Sequence, residues 1–242
     1  MSIIISATRN VLAHDVSAKA AACEWGLVNS LIQTTLAAVK RSMTPDGSFK
    51  SVPTAMDVYV ASSAMRATHR DALAVAMEFG LDADGKELPS TVTLGSLTCL
   101  RHLMYSSPTS GSDDAWLEEI VNEIRENAAD SGIVDMFRTI WSYATLDQTV
   151  MYELLALVVN FVAKCPNAKR AIIAAGAGED GEQPKSFAQL LMNHAFDSKH
   201  APGSSSLCLS LKALSSLATV EGPARYWLIR SSFAEDVAFT LA

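Results

Sequence analysis

The chain has 242 residues, 49% of them hydrophobic and only 7% aromatic, with a formal net charge of −7 and a pI near 5.2. That apolar content fills a continuous core and excludes disorder as the main state. The acidic balance argues against a broad nucleic-acid face, which needs clustered Lys and Arg, and makes a protein partner with a basic surface the natural complement.

Ala, Leu and Ser abound and runs of alternating Val, Ile, Thr and Tyr are missing, so the chain reads as all-α. Its start, "MSIIISATRNVL", has no basic opening region or small-residue cleavage site and reads as the middle of a helix. In "DVSAKAAACEWGLVNSLI", residues 15–32, a dense Ala run meets Trp25 and Gly26 before an apolar pattern resumes. This predicts a short small-residue helix, a glycine closing it in the left-handed conformation, and a further helix over "LVNSLIQTTLAAV". Additional helical material is expected at roughly 54 to 80. Leu97, Leu100 and Leu103 then recur on one helical face.

"DDAWLEEIVNEIRENAAD", Asp113 to Asp130, carries seven acidic residues against Arg125 alone. Its Trp116, Leu117, Ile120, Val121 and Ile124 make an apolar stripe, so it reads as an amphipathic helix with a solvated acidic face. "IVDMFRTIWS" follows as another helix. Leu155, Val158, Phe161 and Val162 share a helical face, and "KCPN" breaks the chain with Pro166 suited to a first helical turn. The helix over "AKRAII" ends at Gly176, and "GAGEDGEQPK" is an acidic loop without the spacing of a phosphate-binding motif. "SFAQLLMNHAF" and the face of Leu211, Leu214 and Leu217 complete the helices before "VEGP". The run "LLALVV" at Leu154 to Val159 is far short of the roughly 20 residues a membrane span needs.

The chain repeats itself. A shift of 150 positions places Ala18 on Ala168, Lys19 on Lys169 and Gly26 on Gly176; a shift of 56 places Leu155, Phe161 and Lys169 on Leu211, Leu217 and Arg225. A shift of 58 places Leu97, Leu100, Leu103 and Pro108 on Leu155, Val158, Phe161 and Pro166. One unit cannot bury its apolar faces alone, so copies are expected to stack over one continuous core.

This grammar of a long helix, a short helix and a third helix resembles the armadillo repeat, with the HEAT repeat a near neighbour. The resemblance implies a single α-solenoid of about four to five irregular helical repeats across residues 1–242, part of a longer solenoid or assembly. "AKAAACEWGLVNSLI", "LLALVVNFVAKCPNAKRAII" and "LKALSSLATVEGPARYWLIRS" are also similar to armadillo-type segments of rotatin-like centriole and basal-body scaffolds. That likeness implies a structural role in centriole or cilium assembly, in the cytoplasm or on the cytoskeleton.

Catalytic chemistry finds no support in the residues. His14, His69, His102, His194 and His200 are scattered, and Cys23, Cys99, Cys165 and Cys208 form no C-x-x-C pair. Glu118 and Glu119 are neighbours that diverge around a helix and cannot act as an acid and base pair. The expectation is a non-enzymatic scaffold with no metal and no cofactor, binding protein and neither nucleic acid nor a membrane. A cargo or regulatory adaptor of the same fold, and an enzyme on a helical scaffold, are the alternatives. In armadillo folds the third helices line the concave face, where polar side chains can bind the backbone of an extended peptide. The matching positions here are Asn29 and Gln33, Asp135 and Thr139, and Gln189 and Asn193, each pair at i, i+4. The alternative is that these six are only the exposed side of amphipathic helices. A transport adaptor would show a Trp and Asn ladder, for which Trp141 and Asn193 are the candidates. Both ends of the chain are apolar and suggest self-association or capping by a partner.

Overall fold

The computed structural model describes residues 8, 11–12, 15–43, 89–106, 113–174, 186–196 and 204–219. Nine helices lie among them: α1 (Val16–Glu24), α2 (Leu27–Ser42), α3 (Pro89–Leu103), α4 (Asp113–Asp130), α5 (Ile133–Ala144), α6 (Gln148–Val162), α7 (Pro166–Ile173), α8 (Phe187–Ala195) and α9 (Ser205–Leu217). The described residues contain no strand, so the all-α expectation holds.

Local chemistry sets the helix boundaries. Asp15 caps α1 by accepting from the amides of Ser17 at 2.8 Å and Ala18 at 3.2 Å, and Asp147 caps α6 in the same way through Thr149 and Val150. Ser186 and Ser204 cap α8 and α9. Pro166 sits in the first turn of α7, where its missing N–H costs nothing. Gly26, at φ 66°, turns α1 into α2, and Gly132, at φ 80°, turns α4 into α5. Gly26 is the left-handed glycine expected from the sequence; its counterpart Gly132 carries no such signal in the repeat register. Gly176 lies outside the described residues.

Helices at corresponding positions pack side by side. α1 lies against α4 and α4 against α7; α2 lies against α5 and α5 against α8; α3 lies against α6 and α6 against α9. Each of α2, α5 and α8 also packs on the long helix that follows it, α3, α6 and α9 respectively. The core runs between these rows. Leu97, Leu100, Leu103, Leu155, Val158, Phe161, Leu214 and Leu217 are fully buried, at the positions that the repeat register superposes. Phe137 of α5 meets Phe161 of α6 edge-on, with ring centroids 5.8 Å apart, and stands 5.4 Å from Phe187 of α8. Such aromatic contacts lock three helices by shape as well as by buried area.

Two expectations are corrected. Leu211 is only half-buried, because α9, which packs chiefly on α6 and α8, has no further long helix beyond it among the described residues. Trp116, placed on the apolar stripe of α4, is 52% exposed, while Ile120, Val121 and Ile124 of the same stripe are buried. The expected helix at 54–80, the loop 176–185 and the apolar residues at both chain ends lie outside the described residues.

Arg125 departs most from its sequence reading. It is 1% exposed, donating to the Met104 carbonyl at 2.9 Å, to Asn122 at 2.8 Å and to Glu118 at 3.1 Å. A buried guanidinium survives only when its donors are matched, and here the last turn of α3 and one carboxylate supply most of the match.

Candidate polypeptide-binding face

α2, α5 and α8 begin after Gly26, Gly132 and Ser186 respectively, and the adjacency of these helices brings the six sequence-predicted residues onto neighbouring elements. Asn29, Gln33, Asp135, Thr139 and Asn193 are exposed, and Gln189 is half-exposed. The i, i+4 spacing puts each pair on one side of its helix. The opposite sides are buried, through Val28, Leu31, Ile32 and Thr35 on α2, Met136, Phe137 and Ile140 on α5, and Leu191 and Met192 on α8.

The three pairs differ in what they hold. Gln189 Nε2 donates to Asn193 Oδ1 at 3.1 Å, so the α8 pair is joined to itself. Asp135 binds Arg138 at 2.7 Å, and the Thr139 hydroxyl donates to the Asp135 carbonyl at 2.8 Å. Arg138 also donates to the carbonyl of Ala174, at the end of α7, at 2.9 Å. The side chains of Asn29 and Gln33 make no hydrogen bond to the described residues, so both side-chain amides are open to a ligand. Ala37 and Lys40 continue the exposed side of α2. A side-chain amide offers two donors and an acceptor, which matches the N–H and C=O of an extended peptide backbone whatever its sequence.

Trp141 stands beside this row. Its ring meets Phe187 edge-on at 5.3 Å and His194 edge-on at 5.6 Å, bridging α5 and α8. It is half-buried, so it packs the two helices together and leaves part of its surface exposed. Sequence reading found Trp141 but not its partners Phe187 and His194.

The other acidic candidate, α4, lies in the row with α1 and α7. Glu119, Glu123, Glu126 and Asp130 are exposed. Glu118 is turned inward between Arg125 at 3.1 Å and Lys164 at 3.2 Å. Burial pushes its carboxyl upward, but hydrogen bonds from Ser106, Lys164 and Arg125 outweigh this and hold it below the usual carboxylate range. Glu118 and Glu119 therefore point apart, as expected. Asn167 of α7 binds Glu126 at 3.0 Å, which ties part of the ridge to its neighbour.

Among the described residues no group of His, Cys, Asp and Glu is arranged to hold a metal ion, and no helix is long and apolar enough to cross a membrane. The four cysteines carry free thiols, with Cys99 and Cys165 buried and Cys208 exposed. Comparison with protein-family models, curated proteins and solved structures finds no match to the chain.

Proposed function

We propose that the chain is a non-enzymatic protein-binding module, an armadillo-like α-solenoid whose α2, α5 and α8 form a face for an extended polypeptide. The observation that carries this reading is the side-by-side order of those three helices, each with a polar i, i+4 pair on its exposed side. The three rows of like-placed helices support the solenoid, since stacking of units over a shared core is what repeat architectures require. Amide-rich surfaces bind peptide backbone, and the free amides of Asn29 and Gln33 make α2 the anchor of the face. The rotatin-like segments extend the proposal to a scaffold in centriole, basal-body or ciliary assembly, which fluorescence localisation of the tagged chain tests. Self-association through the chain ends belongs to the same proposal, and sedimentation at several concentrations measures it.

Replacing Asn29, Gln33, Gln189 and Asn193 together with alanine tests the face. Partner capture should fall while the thermal melt stays nearly unchanged, because all four side chains are at the surface. Capture that survives the replacement moves the interface to another face, with the exposed carboxylates of α4 next in line for a basic partner.

A further inference from the structure

Lys19 of α1 and Lys169 of α7, superposed by the 150-residue shift, are 5% and 9% exposed. Each reaches out of its own row to the far end of a later long helix. Lys19 Nζ donates to the carbonyl of Tyr105 at 2.6 Å, and Tyr105 stands two residues beyond Leu103, the last residue of α3. Lys169 Nζ donates to the Thr219 hydroxyl at 2.6 Å, and Thr219 stands two residues beyond Leu217, the last residue of α9. The Thr219 hydroxyl passes the contact on by donating to the Ser216 carbonyl at 2.8 Å. Both helices finish alike: Met104 and Ala218 make the last i−4 bonds, to Leu100 and Leu214, and Tyr105 and Thr219 make i−3 bonds, to His102 and Ser216. The sequence shifts of 58 and 56 together carry position 105 onto 219, so donor and acceptor positions recur in register.

The middle unit differs: Glu118 of α4 receives the exposed Lys164 at 3.2 Å, one position past Ala163, onto which the shift of 58 carries position 105. The last carbonyls of a helix lack intrahelical donors and carry partial negative charge, so a buried ammonium there satisfies both needs. Burial and the nearby Arg125 draw the Lys19 ammonium down to about 8, the mark of a cation held in a confined place.

We propose that Lys19 and Lys169 are matched latches between units, the short helix of one unit holding the residue two places beyond the end of the following unit's long helix. The latch makes the order of one unit depend on its predecessor, so strain or ligand binding in one unit is felt at the end of the next long helix. This concerns coupling within the fold and stands whether or not α2, α5 and α8 bind a peptide.

Residue-resolved hydrogen exchange on the full chain tests it with Lys19→Met, Lys169→Met, Thr219→Val and the exposed control Lys40→Met. Lys169→Met should speed exchange of the Ala218 and Thr219 amides on the order of tenfold, leaving Met104 and Tyr105 unchanged. Lys19→Met should do the reverse, with a smaller effect because Arg125 also holds the Met104 carbonyl. Thr219→Val alters only an exposed residue, cannot collapse the core, and should reproduce the Lys169→Met pattern. Lys40→Met should change nothing. Faster exchange confined to α1 or α7, or spread evenly over the chain, overturns the proposal, as does an unchanged Ala218 amide in both Lys169→Met and Thr219→Val.

Discussion

Gln189 and Asn193 are hydrogen-bonded to each other at 3.1 Å, whereas Asn29 and Gln33, at the same spacing on α2, bind nothing among the described residues. A ligand finds part of the first pair's donors and acceptors already committed and the whole of the second ready. The double variant Asn29→Ala with Gln33→Ala should therefore weaken peptide binding by roughly 5- to 30-fold, the worth of one or two net hydrogen bonds. Gln189→Ala with Asn193→Ala should cost less than half of that in free energy. Titration of both variants with a peptide selected against the wild-type chain checks the ranking, and equal losses would show that the α8 pair opens freely.

Phe161 is fully buried against Phe137, while Leu211, two turns into α9, is only half-buried. Phe161→Ala should cost roughly 3 to 5 kcal/mol through lost transfer energy and the cavity left behind. Leu211→Ala should cost about 1 kcal/mol, since much of its side chain already meets solvent. Urea unfolding midpoints read both, and an unshifted midpoint for Phe161→Ala would break the assignment of the core.

Gly26 and Gly132 have open space where a Cβ would go, so replacing them tests backbone strain alone. Alanine at either position should destabilise by about 1 to 2 kcal/mol, the cost of the left-handed region for an L-residue. Thermal melts of Gly26→Ala and Gly132→Ala should shift by similar amounts, as the two turns perform the same task.

Lys19 supplies a pH dependence. Its folded-state pKa of about 8 lies below the ordinary value of 10.5, first because of burial and then because of Arg125. Below pH 8 the folded and unfolded states both hold the proton; between 8 and 10.5 only the unfolded state does. Stability therefore rises with pH across that window. Relative to Lys19→Met, the wild-type chain should gain up to about 3 kcal/mol between pH 7.5 and pH 10.5. The neutral amine still donates to the Tyr105 carbonyl, so the contact itself persists. Paired urea melts at the two pH values measure the change, and a difference that falls with pH would contradict the assignment.

Much of the fold was legible because it rests on local chemistry. Leu155, Val158 and Phe161 recur at helical spacing, and Gly26 stands where an Ala-rich helix has to stop. The candidate face came from the armadillo resemblance, and the i, i+4 spacing supplied only that each pair shares one side of its helix. What escaped depends on contacts between distant residues. Arg125 looked like the single cation of a solvated acidic helix and is instead sealed beneath the end of α3. Lys19 and Lys169 were visible as a repeated pair, but their burial depends on helix ends 86 and 50 residues away. The internal bond between Gln189 and Asn193 is equally invisible, because spacing permits it without requiring it.

The proposed polypeptide-binding face is tested most directly by photo-crosslinking from single exposed positions on α2, α5 and α8 and on α4. A benzoylphenylalanine placed at Gln33, Thr139 or Asn193 samples α2, α5 and α8; one at Glu119 or Glu123 samples the acidic side of α4, and all five positions are exposed. The same partner band should form from the first three positions and be absent from the other two. Adducts from Glu119 and Glu123 with none from Gln33, Thr139 and Asn193 would contradict the account and place the partner on the acidic ridge.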